Sequence, residues 1–159
     1  MHSPVDSMKQ LDHLICLLVF TLASFALFSR NSQCQDIAET TKLFDSGKYQ
    51  ECIVSCVKGI ENAWRVDWRI LKINSEIKLG KYKEALKSAE EALQRHTGDI
   101  RVRWVARDAY HLNNDLKKAE LMLVQIDQLV KSSPWRYSDA EDRIVLGKMM
   151  LEVNADAKQ

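Results

Sequence analysis

The chain has 159 residues, 46% of them hydrophobic and 28% charged, which is the size and make-up of one globular domain. Two prolines and five glycines leave no room for a linker or a low-complexity tract. Lys and Arg number 23 against 22 Asp and Glu, so no global field marks a nucleic-acid binder, and a basic surface would have to be local.

The first element is apolar. Leu14–Phe28 runs fifteen residues without a charge, short for a membrane span and right for the apolar region of a secretory signal. MHSPVDSMKQLDH is acidic for such a leader, but a start at Met8 gives MKQLDH with Lys9 at its head, and we take Met8 as the natural start. Ser32 and Cys34, small residues two apart, allow cleavage before Gln35, and Ala26 offers an earlier option; an uncleaved anchor is the alternative. Asn31, Ser32 and Gln33 do not resemble a lipoprotein box. Residues 1–34 are therefore expected to be a signal, and the remainder to lie outside the cytoplasm, periplasmic or secreted.

The first helical hairpin is expected to begin near Gln35 and to turn at Ser46-Gly47, where glycine enters the left-handed region without penalty. Its second helix carries Cys52, Ile53, Cys56, Val57 and Ile60 at spacings of three and four. The second unit starts around Asp67 as N-cap, shows Trp68, Leu71, Ser75 and Leu79 on one stripe, and turns at Gly80. Small residues Ala85, Ala89 and Ala92 then share a stripe with Leu86 and Leu93 beside them. In the turn His96-Thr97-Gly98-Asp99, Gly98 can end a helix and Asp99 cap the next. The third unit has Val102, Val105, Ala109 and Leu112 as its apolar stripe, with Asn113-Asn114 at the turn. Leu116–Val130 is so rich in Leu, Met, Val and Ile that it is expected to be the most buried helix. Ser133-Pro134 and the capping box Ser138-x-x-Glu141 introduce a last helix over 138–153, before a tail at 154–159. With no helix after it, it either caps the array or opens a fourth unit, in which case Met149, Met150 and Val153 would be exposed.

These segments repeat. GKYQECIVSCVKG (Gly47–Gly59), GKYKEALKSAEEAL (Gly80–Leu93) and NDLKKAELMLVQI (Asn114–Ile126) align with offsets of 33 and 34 residues. A helical pattern with a period of about 34 is that of a helix-turn-helix array, and the chain resembles the tetratricopeptide repeat (TPR) family, as in exported bacterial members, over about Gln35–Val153. The resemblance implies an all-α, right-handed stack of hairpins with about seven helices, in units of about 35–66, 67–98 and 99–132 plus the last helix.

The register bears on the cysteines. Cys52 aligns with Ala85 and Ala119, and Cys56 with Ala89, so both read as small core residues, with a disulfide as the competitor. No CxxC, CxxCH or Cys/His cluster supports a metal or haem site, and no cofactor is expected. His96 and His111 have no ligand or nucleophile at a useful spacing. Phosphate-binding, dinucleotide, nucleophile-elbow and zinc-protease motifs are missing from the sequence.

What stands out is a set of Trp and Arg residues at the start of each unit: Trp64-Arg65, Trp68-Arg69, Arg101, Arg103-Trp104, Arg107 and Trp135-Arg136-Tyr137. In TPR proteins the first helix of each pair lines a concave groove, so the resemblance would put part of this set there. Arg69 and Arg103 are 34 apart and Arg107 lies one turn beyond Arg103, which would let them receive carboxylates of an extended peptide. The expected partner-binding residues are Arg69, Arg103, Trp104, Arg107, Tyr110 and Tyr137. The competing account is a solvated face neutralised by Asp67, Glu76 and Asp108, with the tryptophans in inter-repeat core. The function read from the sequence is a non-catalytic scaffold that binds a protein or peptide, with an acidic one as the candidate that the arginines suggest, with no nucleic acid and with membrane contact only through the leader. The alternatives are the N-terminal TPR region of a larger exported enzyme and a structural component of an envelope complex.

Overall fold

The computed structural model describes residues 36–156, with side chains as far as Val153; the leader read at 1–34 and the tail after 156 lie outside the described residues. Seven α-helices and no strand are found among the described residues. They are α1 Ile37–Asp45, α2 Tyr49–Asn62, α3 Val66–Lys78, α4 Tyr82–Arg95, α5 Ile100–Leu112, α6 Leu116–Ser132 and α7 Ala140–Asp156, with a single 3₁₀ turn, Pro134–Arg136, before α7. Each helix packs on the next as far as α6, while α1, α3, α5 and α7 also form a chain of contacts of their own. The result is a stack of hairpins whose first helices make one layer.

One turn geometry sets this architecture three times. Gly47, Gly80 and Asn114 have φ of +79°, +72° and +62°. After each, the next amide reaches back to a carbonyl five residues earlier: Lys48 N–H to Leu43 at 2.9 Å, Lys81 to Glu76 at 2.9 Å and Asp115 to Tyr110 at 3.0 Å. This is the Schellman closure, and it needs a left-handed residue. Asparagine therefore serves at the third turn as expected.

Core packing follows the small-residue stripe. Ala85, Ala89 and Ala92 are fully buried, which lets α4 lie close to its neighbours around Ile73, Val102, Val105 and Ala106. A second cluster joins Cys52, Cys56 and Trp68 between α2 and α3, with Ile37, Leu43 and Phe44 against it. There Gly59 makes room for the Trp68 ring, since a Cβ on Gly59 would overlap it. A third cluster seats α7 through Val145 on Ile100, Ile126 and Tyr137.

Several local expectations differ from what is found. α3 begins at Val66 with Arg65 as N-cap, not Asp67, because the Asp67 carboxylate is held by Arg65 and Arg101 instead. Asp99 does cap α5, accepting from the amides of Arg101 at 2.8 Å and Val102 at 3.2 Å, but α4 ends at Arg95 with His96 as its C-cap, and Gly98 has no positive φ. α7 starts at Ala140, after the capping box proposed at Ser138. Val57, Leu79 and Leu112 are exposed, the two leucines lying next to the turns.

The largest departure concerns α6, which buries only Ala119, Met122 and Ile126 and exposes Leu116, Leu121 and Val124. The most buried helix is α5, with Ile100, Val102, Val105, Ala106, Ala109 and Tyr110. A first helix in the interior of a stack meets both its hairpin partner and the first helices on either side, whereas a second helix keeps an outer face. On α7, Met149 packs against the third cluster, while Ile144, Met150, Leu151 and Val153 are exposed.

Candidate functional site

The first helices α1, α3, α5 and α7 line a cleft of about 380 Å³. Its walls are built from repeat-equivalent positions. Ile37, Ile70, Trp104 and Ile144 form one apolar row across the four helices, at steps of 33, 34 and 40 residues. Leu71, Val105 and Val145 form a second apolar row with the last two of those steps. Thr41, Asn74, Asp108 and Lys148 make a polar row on one side of these, and Asp67, Arg101 and Glu141 another on the opposite side. The longer final step reflects the Pro134–Arg136 turn inserted before α7.

Charge in the cleft is largely answered internally. Arg101 contacts Asp67 and Asp99 at 3.1 Å each and Asp142 at 4.0 Å, so it links three successive first helices. Burial works against its charge, but the Asp99 hydrogen bond and the three carboxylates hold its pKa above the ordinary arginine value. Asp142 is itself raised by burial, with Arg101 opposing that shift. Asp108 receives Arg107 at 2.5 Å.

The residues singled out from the sequence do not converge on the cleft. Trp104 lines it. Arg107 adjoins it, its guanidinium 5.1 Å from the centre of the Trp104 ring and paired with Asp108 and with Glu152 of α7. Arg69 and Arg103 do occupy equivalent places, but these face the second helices. Arg69 lies in a small wedge with Ser88 and Glu91 of α4, and Arg103 donates to Gln125 of α6 at 3.2 Å, where Gln125 is 34 residues after Glu91. Burial lowers the pKa of both, with the Arg95 charge adding to the effect at Arg69. Tyr110 is buried beneath Lys118, whose ammonium is 5.2 Å from its ring, and burial and the nearby Glu90 carboxylate push its pKa up to about 12. Tyr137 is buried and donates to the Gly98 carbonyl at 3.0 Å. Ile37, Ile70, Asn74 and Ile144 were not singled out. Applying the repeat offset to apolar residues, not only to arginines, would have found them.

The other constellations are self-contained. The cleft of about 390 Å³ at the α4–α5 turn sets Arg95, Arg101 and Arg136 against Asp99, Asp139, Glu141 and Asp142. In the α3–α4 wedge Lys72 is held by Glu76 at 2.7 Å and by Ser88 at 2.5 Å. Cys52 and Cys56 are fully buried as free thiols with Sγ atoms 4.0 Å apart, and burial together with Cys52 raises the Cys56 pKa far above the usual thiol range. Among the described residues no group of three or more His, Cys, Asp or Glu side chains is placed to hold a metal ion. No described helix is long and apolar enough to cross a membrane.

No protein-family model matches the chain. None of the curated proteins matches it either. Solved structures do. The crystal structure of the Yersinia enterocolitica type III secretion translocator chaperone SycD, in an alternative dimer, matches with a TM-score of 0.55 at 17% identity, over 73% of this chain and 89% of that one. The NMR structure of the first TPR domain of human RPAP3 matches with a TM-score of 0.53 at 16% identity, over 77% of this chain and 93% of that one. At such identities the likeness concerns the backbone arrangement, and with the three repeated turns it establishes a TPR-like stack of helical hairpins as the fold of the described residues.

Proposed function

We propose that the chain is a non-catalytic protein-binding module that holds a segment of a partner protein in the cleft lined by α1, α3, α5 and α7. The observation that carries this reading is the pair of apolar rows, Ile37–Ile70–Trp104–Ile144 and Leu71–Val105–Val145, flanked on both sides by polar rows. An apolar floor with polar margins matches the anatomy of protein recognition surfaces. SycD, which shares the fold, is a translocator chaperone, a protein whose work is done on another protein. An acidic partner finds less support than the sequence suggested, since Arg101 and Arg107 already have carboxylates and Arg69 and Arg103 face α4 and α6. Placement outside the cytoplasm is part of the proposal and rests on Leu14–Phe28 alone.

Selection of random peptides displayed on phage against the full-length chain tests the module directly. Recovered peptides should lose binding to an Ile144→Asp variant and keep it on an Arg69→Glu/Arg103→Glu variant. Peptides with the opposite dependence would move the site to the α3–α4 and α5–α6 wedges and end this reading.

A further inference from the structure

We infer that the segment taken by the cleft is extended in the polyproline II conformation, carries an aliphatic side chain at every third position, and is electrically neutral. This rests on the cleft being the binding surface, and it follows from the spacing of the rows. Ile37, Ile70, Trp104 and Ile144 sit at one repeat position on four successive first helices. Packed helices lie about 8–10 Å apart, so a segment crossing them must present one anchoring side chain on the same face about every 8–10 Å.

Regular backbones differ in how they meet that spacing. A β-strand returns to the same face every second residue, at about 6.6 Å, or every fourth, at about 13 Å, and neither fits. Polyproline II has three residues per turn and a rise of about 3.1 Å, so every third side chain returns to one face after about 9.3 Å. An α-helix would match with every seventh residue, at about 10.5 Å, but its backbone hydrogen bonds are internal and would leave the polar rows on both margins of the cleft without backbone partners.

The polar rows supply the rest. A polyproline II backbone has no internal hydrogen bonds and needs partners along its length. Asn74 lies beside the apolar row, and its side-chain amide can both donate to and accept from a backbone laid along the cleft. As to charge, the margins hold Asp67, Asp108 and Glu141 against Arg101 and Lys148. Arg101 is already shared by Asp67, Asp99 and Asp142, and Asp108 holds Arg107, which leaves Glu141 and Lys148, one of each sign. Neither an acidic nor a basic segment gains from such margins.

The test uses the full-length chain and four labelled synthetic peptides of equal length. One has leucine at every third position among prolines and serines; one has leucine at every second position; one is helix-forming with leucine at every seventh; one is acidic without leucine. Binding is read by fluorescence anisotropy. The first peptide should bind roughly tenfold or more tighter than each of the others, and Ile144→Asp should weaken it roughly tenfold, while Arg69→Glu/Arg103→Glu changes it by less than about twofold. Ile144 is 57% exposed, so its substitution leaves the fold intact, which circular dichroism verifies. If another peptide binds as tightly and still responds to Ile144→Asp, the cleft stands as the site and the polyproline II inference falls. If no peptide binds, or binding ignores Ile144→Asp, the cleft reading falls with it.

Discussion

The Asp67 carboxylate and the Arg101 guanidinium occupy the same position in successive repeats, 34 residues apart, and meet at 3.1 Å. Arg101 extends the link to Asp142 of α7, so one side chain ties α3, α5 and α7 into a single layer. Replacing Arg101 by Gln should destabilise the chain by about 1–3 kcal/mol, because partly buried carboxylates lose their cation. Asp67→Asn should cost less, and the double variant should cost less than the two singles together. Urea midpoints of the four proteins measure this; strict additivity would show that the pair is not coupled.

Gly59 and Trp68 make a close contact between α2 and α3, where a Cβ on Gly59 would overlap the Trp68 ring. Gly59→Ala is expected to destabilise by about 1–3 kcal/mol through overpacking. Adding Trp68→Leu, which vacates part of the space, should make the combined loss smaller than the sum. At Gly80 the space is open but φ is positive, so Gly80→Ala should cost only about 1 kcal/mol of backbone strain.

His96 titrates below its ordinary value of 6.5, first because of burial and then because Arg69, Arg95 and Arg101 surround it, with Asp99 opposing. The unfolded chain therefore accepts a proton that the folded chain resists. Stability from this group is complete above 6.5 and declines as the pH falls through 6.5 towards the folded value. A His96→Gln variant should show a flatter fall of Tm between pH 7 and about pH 5.5, where few carboxylates titrate. Identical slopes in the two proteins would contradict the assignment.

Thiols shut off from solvent are poor nucleophiles, and at Cys56 burial also raises the pKa. In a Cys16→Ser/Cys34→Ser background, the two remaining cysteines, Cys52 and Cys56, should not react with an aromatic disulfide reagent in the native protein and should both react in guanidinium chloride. Rapid native reaction would mean that the α2–α3 cluster opens far more readily than its burial implies.

Much of this fold was legible because its determinants are local. A left-handed residue at Gly47, Gly80 and Asn114 closes a helix through backbone geometry that needs no distant partner. The alanine stripe at Ala85, Ala89 and Ala92 likewise announces close helix approach through size alone. The candidate site was harder to read. On a first helix in mid-stack, most faces meet another helix, so apolar periodicity marks several stripes and does not say which one faces the cleft. Arg69 and Ile70 are adjacent in the chain, yet one turns to α4 and the other to the cleft. Composition misled similarly at α6, whose leucines and valines stay exposed because a second helix keeps an outer face.

The sequence by itself determined the repeat register, the three turns and the all-helical stack, since each follows from side-chain size and backbone conformation within a few residues. Only the tertiary structure decided which repeat-equivalent row becomes the cleft floor and which arginines are already satisfied. The rotation of each helix about its axis is set by packing against neighbours tens of residues away, and a change of one residue, about 100°, exchanges Arg103 for Trp104.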